Sequence, residues 1–131
     1  MNLQMIHRKN SKKGFTLVEV IVVLVILAIL AAIMIPAMTG WIDEANKKAV
    51  VVEARSALLA AQTLASEWYG EKGAAPSTAD ITSANINTLA GITGATSTVT
   101  TIGAKAQITG FTFAKTGGKT ATFANGTWTV A

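Results

Sequence analysis

A single carboxylate stands at the start of a long apolar segment of this sequence. Glu19 is followed by 19 residues, Val20 to Met38, without a charged or hydrogen-bonding side chain. At about 1.5 Å per residue, a helix of that length spans roughly 28 Å, close to the thickness of a bilayer's hydrocarbon core. A carboxylate in such a helix costs about 3 kcal/mol and is usually retained because a partner pairs with it. We therefore expect Glu19 to bind a cationic group; the alternative is an unpaired position at the headgroup level.

Residue types suited to catalysis are scarce. The sequence contains one histidine, His7, and no cysteine, which leaves few candidates for a general base, a thiol nucleophile or a metal ligand. Glu67 and Glu71 are one helical turn apart, but a solvated helix end explains them better. No acidic residue follows Asp80, so carboxylates for a Ca²⁺ site are lacking near the C-terminus. We predict a protein that is not an enzyme and that has no metal site and no cofactor.

The residues around Glu19 form a specific motif. Residues 14–19, with the sequence GFTLVE, follow a basic leader and resemble the N-terminal signature of type IV prepilins. The resemblance implies that a prepilin peptidase cuts after Gly14 and that the new amine of Phe15 is methylated. An ordinary secretory signal would lose its apolar run on cleavage, whereas here the run stays in the mature protein. The resemblance also implies that Glu19 pairs with the Phe15 amine of a neighbouring subunit and sets the axial register, although the two could also meet within one helix.

The positive charge of the chain is concentrated before the apolar segment. Four of the 11 basic residues lie in the leader: Arg8, Lys9, Lys12 and Lys13. After a cut behind Gly14, seven basic and seven acidic side chains would remain, so the formal net charge of +4 does not indicate a nucleic-acid-binding protein. Basic residues just before an apolar span keep that end in the cytoplasm, as in any single-pass anchor. We predict a single-pass precursor in the inner or cytoplasmic membrane, with its C-terminal part outside.

The apolar helix, residues 15–39, is predicted to continue as an amphipathic helix to about residue 69. Apolar residues recur there at steps of three and four: Val50, Ala54, Ala57, Ala61, Leu64 and Trp68. Pro36 and Gly40 weaken the helix between its halves, because proline removes a backbone donor and glycine costs about 1 kcal/mol relative to alanine. These two residues predict a gentle kink in the isolated subunit. The resemblance implies that this segment unwinds inside a filament.

The remainder of the sequence predicts a polar loop followed by a small sheet. Residues 70–104 are Ser/Thr-rich, with a short helix around 79–90 that turns Ile81, Ile86 and Leu89 inward and stops at Gly91. Residues 105–131 contain three segments that alternate apolar residues with threonine, which indicates antiparallel strands. These segments are 111–113, 121–123 and 128–130, separated by turns at 116–118 and at Asn125-Gly126. The latter pair also begins a glycosylation pattern, but a hairpin turn explains it better.

These elements predict an α+β fold of the pilin type. It has a leader (1–14), a transmembrane or filament-core helix (15–39) and a head (40–131), in which the amphipathic helix packs on the antiparallel sheet. The favoured function is a structural subunit of a type IV pilus, a helical homopolymer on the cell surface. Its partners would be copies of itself, the prepilin peptidase, the pilus assembly machinery and, before assembly, the membrane.

Two other functions are open. The first is a pseudopilin or competence-type pilin of a type II secretion or DNA-uptake system. The second is a membrane-anchored binding module that never polymerises, against which the cut site and Glu19 argue.

Three lysines carry the only charges after Asp80: Lys105, Lys115 and Lys119. Repeated along a fibre, they would form a basic stripe that could contact DNA or another anionic polymer. Solvated lysines that keep the head soluble are the favoured explanation, because no exposed aromatic platform for stacking bases is evident nearby.

Overall fold

The computed structural model describes residues 14–131, so the predictions for the leader lie outside the described residues except at Gly14. The described chain is α+β, with two helices followed by a four-stranded antiparallel sheet in the order β1-β2-β3-β4. The elements are α1 (Leu17–Lys72), α2 (Ser83–Ala90), β1 (Ala95–Ile102), β2 (Ile108–Lys115), β3 (Thr120–Ala124) and β4 (Thr127–Val130). Two compact units divide the chain: the described residues up to Gly40, and a head formed by Trp41–Ala131.

The first unit is the apolar part of α1, and it has no core of its own. Its large aliphatic side chains are all exposed, from Leu17 at 76% to Met38 at 51%. By length and composition, α1 is the one helix of the described residues that could cross a membrane. The helix continues through Pro36 and Gly40, and the Thr39 hydroxyl donates to the Pro36 carbonyl at 2.8 Å. The kink and the unwinding at this segment stay predictions.

The head has a core between one face of α1 and one face of the sheet. Val50, Ala54, Ala57 and Ala61 are buried as predicted, together with Ala60 and Ala65, while Leu64 and Trp68 are half-buried. The sheet contributes Phe111 and Phe113, both fully buried. The small alanines of the helix and the two large phenylalanine rings of the sheet belong to one hydrophobic cluster.

The polar region contains a strand that the sequence did not predict, so the prediction of a loop as far as residue 104 is wrong. Residues 95–102 form β1, which pairs with β2 and makes the sheet four-stranded. Ser97 and Val99 of β1 face Phe113 and Phe111 across the ladder, and both are buried. Threonine is a good strand former and can lie on the solvent face of a sheet. Because β1 is rich in hydroxyl side chains, its alternation of buried and exposed residues was not recognised in the sequence.

Four smaller predictions can be compared with the observed structure. α1 ends at Lys72 rather than near residue 69. The short helix α2 stops at Gly91 in the left-handed conformation, as predicted, but begins at Ser83 rather than near residue 79. Ile81 and Ile86 are buried, but Leu89 is 53% exposed and its inward placement was wrong. Asn125 and Gly126 have φ angles of 50° and 81° between β3 and β4, which confirms the two-residue hairpin turn.

Candidate assembly site and the surface lysines

The start of α1 is fixed by a reciprocal pair of hydrogen bonds between Thr16 and Glu19. The Thr16 backbone N–H donates to Glu19 Oε2 at 3.2 Å, and the Glu19 N–H donates to Thr16 Oγ1 at 3.2 Å. This arrangement is a capping box, which satisfies two backbone donors that a helix N-terminus leaves unpaired. The Glu19 carboxylate therefore has a partner within its own chain. The Thr-x-x-Glu spacing is visible in the sequence, but the prediction for Glu19 rested on its charge in an apolar segment and on the resemblance to prepilins, not on this spacing.

The bond between Gly14 and Phe15 lies just before this cap. Both residues are exposed and precede the first helical residue, Leu17; the Phe15 side chain is 86% exposed. No described residue covers this bond, so its position is compatible with access by a peptidase. Pairing of Glu19 with the Phe15 amine of a neighbouring subunit stays a prediction.

Two of the three predicted surface lysines are engaged with α1. Lys115 forms an ion pair with Glu53, and Lys119 forms one with Asp43 at 2.8 Å. The Lys119 and Lys47 ammonium groups hold the pKa of Asp43 below its usual value, chiefly through their hydrogen bonds to it. These pairs attach the turn between β2 and β3 to the helix and offset two of the three positive charges.

The remaining lysine, Lys105, is exposed in the loop between β1 and β2. Contact of these lysines with an anionic polymer stays a prediction. The sequence did not reveal their carboxylate partners because the pairs join distant parts of the chain.

Two half-buried amides connect the elements of the head. Gln62 of α1 donates from Nε2 to the Ala106 carbonyl at 2.9 Å, and its Oε1 accepts from the Ile108 N–H at 2.8 Å. Asn87 of α2 donates to the Ala95 carbonyl at 2.6 Å and accepts from the Ser97 hydroxyl at 2.6 Å. Each amide binds a backbone group at the first residue of a strand, Ile108 of β2 or Ala95 of β1, and neither was singled out from the sequence.

Metal-ligating side chains do not converge within residues 14–131. No group of three or more acidic side chains there is close enough to hold an ion. Glu67, Glu71 and Asp80 line a common surface depression without forming such a group.

Comparisons with known proteins agree with the N-terminal motif. A family model described as the prokaryotic N-terminal methylation motif matches residues 9–35. The Type II secretion system core protein G of Klebsiella michiganensis is 46% identical over 44 residues. That match covers 34% of this chain and 31% of the relative, so it spans about a third of each protein. No solved structure matches the chain significantly. With the methylation motif, an apolar N-terminal helix and a small antiparallel sheet, the chain has the features of a type IV pilin-like prepilin.

Proposed function

We propose that the chain is a structural subunit of a type IV pilus that polymerises with itself through the apolar part of α1. The observation that carries this proposal is a helix segment, Val20 to Met38, that is apolar on all sides and whose large side chains are all exposed. Such a surface is stable only when lipid or other apolar helices cover it. Lipid covers it in the precursor, and the same helices of other copies cover it in the filament.

Processing links these two states. The prepilin peptidase cuts after Gly14, and the new amine of Phe15 is methylated. In the precursor the Glu19 carboxylate accepts the Thr16 N–H, whereas in the filament it pairs with the Phe15 amine of the neighbouring subunit. Pairing offsets two charges that are costly in apolar surroundings, and it selects one axial register. Pro36 and Gly40 lie at the end of the first unit in the sequence and allow the helix to unwind there.

A second candidate is a pseudopilin or competence-type pilin, a short filament of a type II secretion or DNA-uptake system. The similarity to a type II secretion core protein supports this candidate. Both candidates share the precursor in the inner membrane, the peptidase and an assembly machinery, and both are structural rather than enzymatic. They differ in whether the filament extends from the cell surface.

Electron microscopy and shearing of cells that carry or lack the gene test the proposal. Surface fibres that contain this chain should disappear on deletion and return with the wild-type gene, but not with Gly14→Leu, which keeps its leader. Loss of secreted proteins or of DNA uptake, without any surface fibre, would favour the pseudopilin-type filament. A chain found as a monomer in the membrane under all these conditions would contradict both candidates.

A further inference from the structure

A basic groove lies along the first turns of the head's helix. Its charged residues are Glu44, Lys47, Lys48 and Arg55, and its apolar floor consists of Val51, Val52 and Val130. Lys47 contacts Asp43 at 3.3 Å, whereas Lys48 and Arg55 form no ion pair with any residue in 14–131. Glu44 forms no ion pair with a described residue either, so the unpaired charges of the groove are two cations and one carboxylate, a net excess of one positive charge.

An acidic surface lies near the other end of the same helix. Its carboxylates are Glu67, Glu71 and Asp80, and its apolar side chains are Leu64, Trp68 and Ile81. Within the described part of the chain, no ion pair involves Glu67 or Glu71. Ser77 donates two hydrogen bonds to Asp80, which lower the pKa of that carboxyl. Lys72 is directed instead over the Trp68 ring, 5.9 Å from its centroid.

The basic groove and the acidic surface of a single copy cannot contact each other, because they lie at different positions along one helix. Arg55 and Glu67 are 12 residues apart, which corresponds to roughly 18 Å along the axis and about 120° around it. A contact between different patches on two identical chains is heterologous, and it repeats into an open helical assembly when it does not close into a ring. The positions of the groove and the acidic surface therefore suit a polymer.

We propose that the basic groove of one copy binds the acidic surface of the next copy in the filament. This inference rests on the proposed function, because it requires self-assembly. Each surface combines uncompensated charge with apolar side chains, and the two are opposite in sign. A second copy covers both at once, whereas an anionic lipid in the groove would leave the acidic surface without a partner.

Cysteine cross-linking tests the contact directly, because the sequence contains no cysteine. The chain with both Arg55→Cys and Glu67→Cys should give a ladder of disulfide-linked oligomers when purified filaments are oxidised. Within one copy the two positions are too far apart, since a disulfide needs Cα atoms within about 7 Å. Thr116→Cys combined with Glu67→Cys is the matched control; Thr116 is exposed and lies outside both surfaces, so no ladder should form.

A charge swap adds a functional readout. Arg55→Glu should lower the filament yield about tenfold, and adding Glu67→Arg should restore most of it, because the swap recreates the pair. Lys105→Glu, a reversal of the same size outside both surfaces, should leave the yield unchanged.

The outcomes separate this inference from the proposed function. Filaments at wild-type yield, with no ladder from the 55/67 pair and no effect of Arg55→Glu, would overturn the inference and leave the proposed function standing. Absence of filaments from the wild-type chain would overturn both. If no ladder forms, but the thiol introduced by Arg55→Cys is protected from alkylation in phosphatidylglycerol and not in phosphatidylcholine proteoliposomes, the groove binds lipid and the inference fails.

Discussion

The two halves of α1 share one helical geometry but are stabilised in different ways. In the first half, large aliphatic side chains point in every direction and are exposed; Leu30, for example, is 50% exposed. In the second half, small side chains such as Ala57 and Ala61 are completely buried against the sheet. The first half therefore needs apolar surroundings from outside the chain, whereas the second carries its own core. Substitutions in the first half should change assembly, and substitutions in the second should change the stability of the head.

The largest expected effect is on assembly, from removal of the Glu19 charge. Glu19→Ala should insert into the membrane as well as the wild type or better, because a charge leaves the apolar segment. Cleavage should persist, but filaments should be absent in electron micrographs because the proposed pair of Glu19 with the neighbouring amine cannot form. Glu19→Gln is the sharper variant, since glutamine can keep the capping box with Thr16 while losing the charge. Normal fibres from either variant would show that the charge does not direct assembly.

The next effect concerns the core of the head. Phe111→Ala should lower the free energy of unfolding by about 4 kcal/mol, because a fully buried ring is replaced by a cavity. Urea unfolding of the full chain in detergent micelles measures the change. Leu59→Ala is the control: its side chain is 69% exposed, and a shift within about 0.5 kcal/mol is expected. Equal losses of unfolding free energy in the two variants would contradict the claim that the buried core, and not the exposed face of the helix, stabilises the head.

A smaller loss is expected from the amide that joins α1 to the loop between β1 and β2. Gln62→Ala leaves the Ile108 N–H and the Ala106 carbonyl without their side-chain partners, which should cost about 1–3 kcal/mol. The same urea titration measures this change, and hydrogen exchange at the Ile108 amide should become faster. Thr63→Ala is the control: Thr63 is exposed on the same helix and its hydroxyl donates to the Leu59 carbonyl, not to Gln62, so both readouts should stay unchanged. An unaltered Ile108 exchange rate in Gln62→Ala would mean that the amide does not support this loop.

The smallest effect is a pH dependence of the contact between Lys119 and Asp43. The pKa of Asp43 is lower in the folded chain than in the unfolded chain, so the unfolded carboxyl binds a proton at higher pH. The stability from this pair is therefore present above the unfolded pKa, about 3.9, and is lost as pH falls through the lowered folded value. Wild type and Asp43→Asn should converge in stability at the acid end of a pH series. A difference between them that stays constant down to the lowest pH would contradict this assignment.

Local signals explain which parts of the fold could be predicted from the sequence. The apolar segment, the alanine stripe and the Asn125-Gly126 turn depend on residues close together in the chain, and all three are present. β1 was missed because its strand character depends on pairing with β2. A bulge near Thr101, opposite Gly110, also interrupts the regular pairing of this strand. Pairing in turn buries Ser97, a residue that composition assigns to a polar loop.

The same difference between local and distant contacts explains which residues of the candidate site could be predicted. Gly14, Phe15 and Glu19 could be identified because the motif is contiguous. The partners of Lys115 and Lys119 could not, because Glu53 and Asp43 are on a different element and only the folded head brings them together.

N-terminal mass analysis of the chain recovered from filaments tests the central claim most directly. We predict one species that begins at a methylated Phe15, with the leader to Gly14 removed and the apolar half of α1 retained. Gly14→Leu should instead keep its leader and be absent from filaments, because a bulky side chain obstructs the peptidase. A filament subunit that begins at Met1, or at any cut other than the one after Gly14, would contradict the account.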